Sequence, residues 1–150
     1  MKDGISGAPL PPGFPYKDII DALSVKYQVS PCLVGAIKVN ESGLSDPPDV
    51  MSGDGGHGLM QLTSSWPENW ADPYANIEYA IAHFIVPAWQ YWDQWLQGEG
   101  LIRAIAASYN AGLGNAIAGH EKGNVDLYTT NNYGQRALEH YQDLLAGKAY

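Results

Sequence analysis

In the stretch AIKVNESGLSDPP, residues 36–48, an apolar helical pattern runs into one carboxylate, Glu41, and stops in a loop of glycine, serine, aspartate and proline. From Pro31 the apolar positions are Leu33, Val34 and Ile37, and Glu41 continues the same i, i+4, i+8 row. A glutamate so placed looks toward the buried side of its helix and toward the negative end of the helix dipole. Two readings are open. Either the head group reaches water at the edge of the stripe, or burial and dipole both disfavour the charged form, raise the pKa and make the side chain a general acid. Asp54, in SGDGGHGLMQL, stands in an Asp-Gly pair. Asp-Gly pairs commonly make turns, and turn-making is its favoured role. The single Cys32 closes no internal disulfide, and His57, His83, His120 and His140 show no zinc-site spacing. No metal and no cofactor is expected, and His57 is expected to serve its turn.

These side chains need elements to hold them, and the pattern is mainly α. Prolines 9, 11, 12 and 15 rule out a helix over residues 1–15, which read as an extended tail packing over the surface. The catalytic segment is read as 16–150. YKDIIDALSVKYQV puts Ile19, Ile20, Leu23 and Tyr27 on one face. Ser30 and Pro31 then serve as cap and first position of the helix that carries Glu41. The glycine-rich segment before Leu62 breaks all periodicity and reads as a turn or short hairpin. Asp72 and Pro73 open a long helix through Ile77, Ile81 and Ile85 that Pro87 should kink or divide. LIRAIAASYNAG ends at Gly112. A last helix near Tyr133 to Ala146 is expected to turn Leu138, Tyr141 and Leu145 inward. Trp89, Trp92 and Trp95 fall on helical spacing and read as core before groove wall.

With 150 residues, 45% of them apolar, the chain is the size of one domain with a real core. A formal charge of -8 argues against binding that depends on neutralising phosphates, so no nucleic acid partner is expected. No segment is long enough to span a bilayer, and the N-terminal glycines and prolines interrupt any secretory leader. No membrane insertion is expected, and a monomer is.

Taken in order, ESGL at 41–44, GLMQL at 58–62, NI at 76–77 and ASYNAG at 107–112 resemble the catalytic domain of the soluble lytic transglycosylases, relatives of goose-type lysozymes with a lysozyme-like fold. The resemblance covers about residues 16 to 145. It implies that Glu41 is the family's single catalytic acid, acting on the bond between N-acetylmuramic acid and N-acetylglucosamine in peptidoglycan glycan strands. Ordinary glycosidases need a second carboxylate. Here the muramic acid 6-hydroxyl supplies the nucleophile, and the product is a 1,6-anhydro sugar.

The resemblance implies further roles. Ser42 lies beside the acid and can bond it or the sugar, or else bonds its own backbone. Met60 offers the sugar chain an adaptable apolar contact and Gln61 a donor and an acceptor; from the residues alone Leu59, Met60 and Leu62 would be core. Tyr109 can reach the acid or the N-acetyl group. Asn110 either grips sugar hydroxyls or satisfies the turn into Gly112. Thr130 and Tyr133 fit the family's closing segment, where Thr129 stands in place of a glutamate. Trp66 and Trp70 are candidates for a substrate wall.

Two rivals stand beside this reading. Asp54 occupies about the place of the aspartate that helps goose-type lysozymes activate water, which implies hydrolysis of the same bond. A wall-binding module without activity is the other. The small size suggests a phage lysis enzyme or another opener delivered to the bacterial wall or periplasm.

Overall fold

The helix that carries Glu41 starts where its residues dictate: the Ser30 hydroxyl accepts the Leu33 amide at 3.3 Å and Pro31 holds the first position. The computed structural model describes residues 3–148; residues 1–2 of the expected tail and 149–150 of the expected catalytic segment lie outside that range. Its order is α1 (Lys17–Tyr27), α2 (Pro31–Ser42), α3 (Pro73–Ala80), a π-helical turn (Ile81–Ile85), α4 (Val86–Trp92), α5 (Gly98–Ala111), α6 (Leu113–Glu121) and α7 (Tyr133–Leu145). The fold is mainly α. Between α2 and α3 the chain forms only isolated antiparallel bridges, Met51 to His57 and His57 to Leu62. Among the described residues no helix is long and apolar enough to cross a membrane.

Helix α2 is the axis of the molecule. Every residue from Pro31 to Lys38 is buried, the mark of a helix surrounded by protein instead of lying on its surface. Its largest contact is with α7, and α1 lies on another side. The extended segment 3–15 closes a third. It covers the surface, but it also sends Ile5, Leu10 and Phe14 into the core. Gly35 makes this possible: a Cβ there would fall 2.6 Å from Leu10 Cδ2. Each such side chain, fully buried, stabilises the fold by roughly 1.5–3 kcal/mol.

Pro87 acts where expected but not as a simple kink. Its ring and missing N–H disturb the preceding turn, and the chain absorbs this as the π turn, with the Val86 amide on the Ile81 carbonyl, before continuing as α4. Two expectations need correction, and one helix was not expected. In α7 it is Leu144 that turns inward, three residues after Tyr141, while Leu145 is exposed. Trp95 is exposed because α4 ends at Trp92, so the helical spacing that buries Trp89 and Trp92 no longer applies to it. Helix α6 follows α5 with only Gly112 between them, at φ 89°.

Candidate active site

Glu41 lies in the last turn of α2, which closes when the Gly43 amide bonds the Val39 carbonyl at 3.1 Å. Beneath that turn is a fully buried lysine. Lys38 Nζ donates to Ser42 Oγ at 3.1 Å and to the Gly43 carbonyl at 2.7 Å, and burial lowers its pKa. An ammonium at a helix C-terminus satisfies carbonyl groups that the helix cannot. Ser42, itself buried, thus faces Lys38.

The partner of Glu41 comes from the far end of the chain. Tyr133, the first residue of α7, is buried and its hydroxyl donates to Glu41 Oε2. The two helices are pinned on either side of this bond: Asn40 Nδ2 donates to the Tyr133 carbonyl at 3.2 Å, and Arg136 Nη1 donates to Asn40 Oδ1 at 3.3 Å. The start of α7 is fixed by Asp126, whose buried carboxylate accepts the Gly134 amide at 2.7 Å and the Gln135 amide at 3.0 Å. Thr129 joins this cap, donating to Asp126 Oδ1 at 2.9 Å and accepting the Tyr133 amide at 3.1 Å.

Burial pushes the Glu41 carboxyl up to about 7; the Tyr133 hydrogen bond lowers it, the charge of Asp54 raises it and Arg136 lowers it. Burial wins because a partly sheltered carboxylate loses more hydration than one phenol restores. The phenols of Tyr109 and Tyr133 are both held well above their ordinary value, by burial first and then by the Glu41 charge. Glu41, Tyr109 and Tyr133 are therefore one electrostatic group.

The loop from residue 50 to 62 borders this group. Its pin is Asn76 on α3, fully buried, which accepts the Met60 amide at 2.8 Å and donates to the carbonyls of His57 (3.0 Å) and Trp70 (2.9 Å). Gly58, at φ 73°, passes so close that a Cβ would lie 2.3 Å from Asn76 Nδ2. Met60 has no exposed surface: its side chain belongs to the core, and its carbonyl accepts the Tyr109 hydroxyl. Gln61, at φ 50°, donates to the Gly58 carbonyl at 2.9 Å. Asp54 is exposed and bonded within its own turn, to the Ser52 hydroxyl and the Gly56 amide, which hold its carboxyl below the ordinary value. His57 bonds Leu62 through its backbone and stacks on Trp66 with ring centroids 3.9 Å apart, with Trp70 edge-on at 5.0 Å.

A cavity of about 340 Å³ opens between residues 61–64, the π turn and the end of α5, with Gln61, Tyr109 and Asn110 in its wall. Asn110 also accepts the Thr130 amide at 2.8 Å, tying α5 to the loop before α7. Tyr109 joins the cavity to Glu41, which is not itself part of the lining. The fold thus groups Glu41 with Tyr133 and Tyr109, sets Gln61 and Asn110 beside Tyr109 in one cavity wall, and turns Ser42 and Met60 inward. Lys38 and Arg136 had no place in the sequence reading, and Asn76 entered it only as part of the NI motif at 76–77, with no role given; for Lys38 a lysine inside an apolar helical stripe was the signal available.

The family model described as Transglycosylase SLT domain matches residues 18–125. That span holds Glu41, the 50–62 loop, Tyr109 and Asn110, and stops short of Tyr133. Among solved structures the chain is similar to the lytic transglycosylase Slt of Pseudomonas aeruginosa, solved as an inactive glutamate-to-glutamine mutant, with 18% identity and a TM-score of 0.69 over 91% of this chain. It spans 25% of the length of that protein, and the likeness is one of fold.

Proposed function

This chain belongs to the transglycosylase SLT domain family, and from that premise we propose that it cuts the β-1,4 bond between N-acetylmuramic acid and N-acetylglucosamine in peptidoglycan, with Glu41 as the only acid and base. The observation that carries this is a carboxyl at about 7, partly buried and bonded to a buried phenol. At neutral pH such a group is available in both protonation states.

In the first step protonated Glu41 gives its proton to the glycosidic oxygen as the bond to the muramic anomeric carbon breaks. The leaving strand takes that oxygen as a hydroxyl. The 6-hydroxyl of the same muramic acid then attacks the anomeric carbon, and the ionised Glu41 accepts its proton. A 1,6-anhydro ring forms and the enzyme returns to its starting state. The Tyr133 hydroxyl bonds the carboxylate between the two steps. Gln61, Tyr109 and Asn110 are read as sugar contacts, since they line the cavity beside the acid.

A second reading keeps the bond and changes the nucleophile. The charge of Asp54 reaches Glu41, so an Asp54-assisted attack by water is the rival. Against it, the Asp54 carboxylate is exposed and engaged by Ser52 and Gly56, and these bonds hold its pKa below the ordinary value, which makes it a weaker proton acceptor for an attacking water. Mass spectrometry of digested peptidoglycan separates the two: anhydro-muramic ends are expected, and reducing ends heavier by one water would refute the transglycosylase reading. No lysis of any wall type would favour a binding module.

A further inference from the structure

His83, carried on the π turn, belongs to the wall of the active-site cavity and also to that of a second cavity, of about 360 Å³, between α3, the end of α1 and the loop before Asp72. Its ring lies on that of Tyr79, with centroids 4.0 Å apart and 22° between planes. The Tyr79 hydroxyl donates to Ser65 Oγ at 2.7 Å, which ties the loop after Gln61 to α3. The proposed reaction uses none of these groups.

The second cavity is lined by Tyr27, Tyr74 and Tyr79 together with Asp72 and Glu78. Aromatic faces beside carboxylates suit an alkylammonium ion, which draws on the ring quadrupole and on charge-assisted hydrogen bonds. The protein displays that chemistry at the cavity's edge. Lys26 Nζ bonds Glu78 Oε2 at 2.7 Å and lies 5.3 Å from the centre of the Tyr27 ring, and the Tyr27 hydroxyl donates to the same oxygen at 3.0 Å. Asp72 engages the Ala75 amide through Oδ2. Among the described residues, Glu78 Oε1 and Asp72 Oδ1 accept no hydrogen bond, and Tyr74 is exposed.

Building on the peptidoglycan reading, we propose that this second cavity takes the free side-chain ammonium of a diamino acid in the peptide stem of a strand whose sugars occupy the first. The stem hangs from the muramic acid, the sugar at which the bond is cut. Three extended residues reach roughly 10 Å, and the two cavities share His83 as a common wall. Neutral and acylated stems lack the charge that Glu78, Asp72 and the three phenol rings would recognise.

The test uses the full chain as its Glu41→Gln variant, so that nothing is cut, and NMR titration with a free stem tetrapeptide and with the same peptide acetylated on its side-chain amine. The free amine is expected to shift resonances of Tyr74, Glu78 and Tyr79, and the acetylated peptide to bind about tenfold more weakly or worse. Adding Glu78→Gln should remove that preference, and Tyr74→Ala, at an exposed position, should weaken the free-amine peptide several-fold. Equal binding of the two peptides, or a preference that survives Glu78→Gln, overturns the proposal. Because no cleavage is read, the result stands apart from the proposed reaction. An enzyme that cuts glycan without telling the peptides apart would sink this site alone.

Discussion

Glu41 is held between opposing influences whose sizes decide what it can do. Burial is the largest and keeps the proton on; the Tyr133 hydroxyl is the next and draws it off. Removing the phenol therefore has a definite sign. Tyr133→Phe deletes the donor to Glu41 Oε2 while keeping the ring buried, so the folded-state pKa of Glu41 should rise further. A general acid must be protonated to work, so the alkaline limb of the kcat/KM profile should move to higher pH in this variant. A limb that stays in place, or moves to lower pH, would show that Tyr133 does not tune the acid. Asn40 and Arg136 bracket the same bond from α2 and α7 and need no contact with substrate to matter. Ser42 and Met60 make the complementary point: each lies next to a residue of the site in sequence, yet each faces the interior, toward Lys38 and toward the core.

At the scale of elements, the site depends on how α7 begins. Asn132, at the N-cap position, gives no side-chain hydrogen bond, and Asp126 supplies the cap from outside the helix. Burial alone would raise its pKa, but the Arg103 ion pair at 2.8 Å and the bonds from Gly134, Thr129 and Gln135 together hold it below the ordinary value. A depressed folded-state pKa means stability that is present above the unfolded value of 3.8 and lost as pH falls below it. Asp126→Asn should cost about 1–3 kcal/mol at neutral pH, since it weakens the buried cap while the partly exposed Arg103 can turn to water. Urea melts should show a cost that shrinks as pH falls below 3.8, where the unfolded chain takes up the proton before the folded one; a cost that does not change with pH would contradict the assignment. Much of this architecture was legible in the residues. Ser30-Pro31, Asp72-Pro73 and Gly112 mark helix boundaries by local chemistry, and local chemistry survives folding. Helix α6 was not legible, because Gly114 and Gly119 thin its apolar face. The pairing of Glu41 with Tyr133 was not either: it joins residues 92 positions apart, and no periodicity reports on which helices meet. Tyr133 was reachable only through the family resemblance, Arg136 through neither route.

For the molecule as a whole, charge and shape give different instructions. The chain carries a formal charge of -8, and bacterial walls are themselves polyanionic, so long-range attraction between the two is absent. Under the proposed function, binding rests on short-range contacts in the cavities. Wall lysis is accordingly expected not to rise when salt is lowered, measured as turbidity loss across an ionic-strength series. A steep loss of activity as salt increases would mean that charge steering had been underestimated. The segment 3–15, which the family match does not include, is part of the same economy of shape: Leu10 and Phe14 fill the groove over Gly35 and so help fix the helix that ends in Glu41.

The most direct measurement compares kcat/KM on soluble glycan strands for Glu41→Gln and Asp54→Asn, each checked for wild-type folding by its melting curve. A single general acid predicts a loss on the order of a thousandfold for Glu41→Gln and less than about threefold for Asp54→Asn. Glu41→Gln cutting strands at the wild-type rate would contradict the account at its centre.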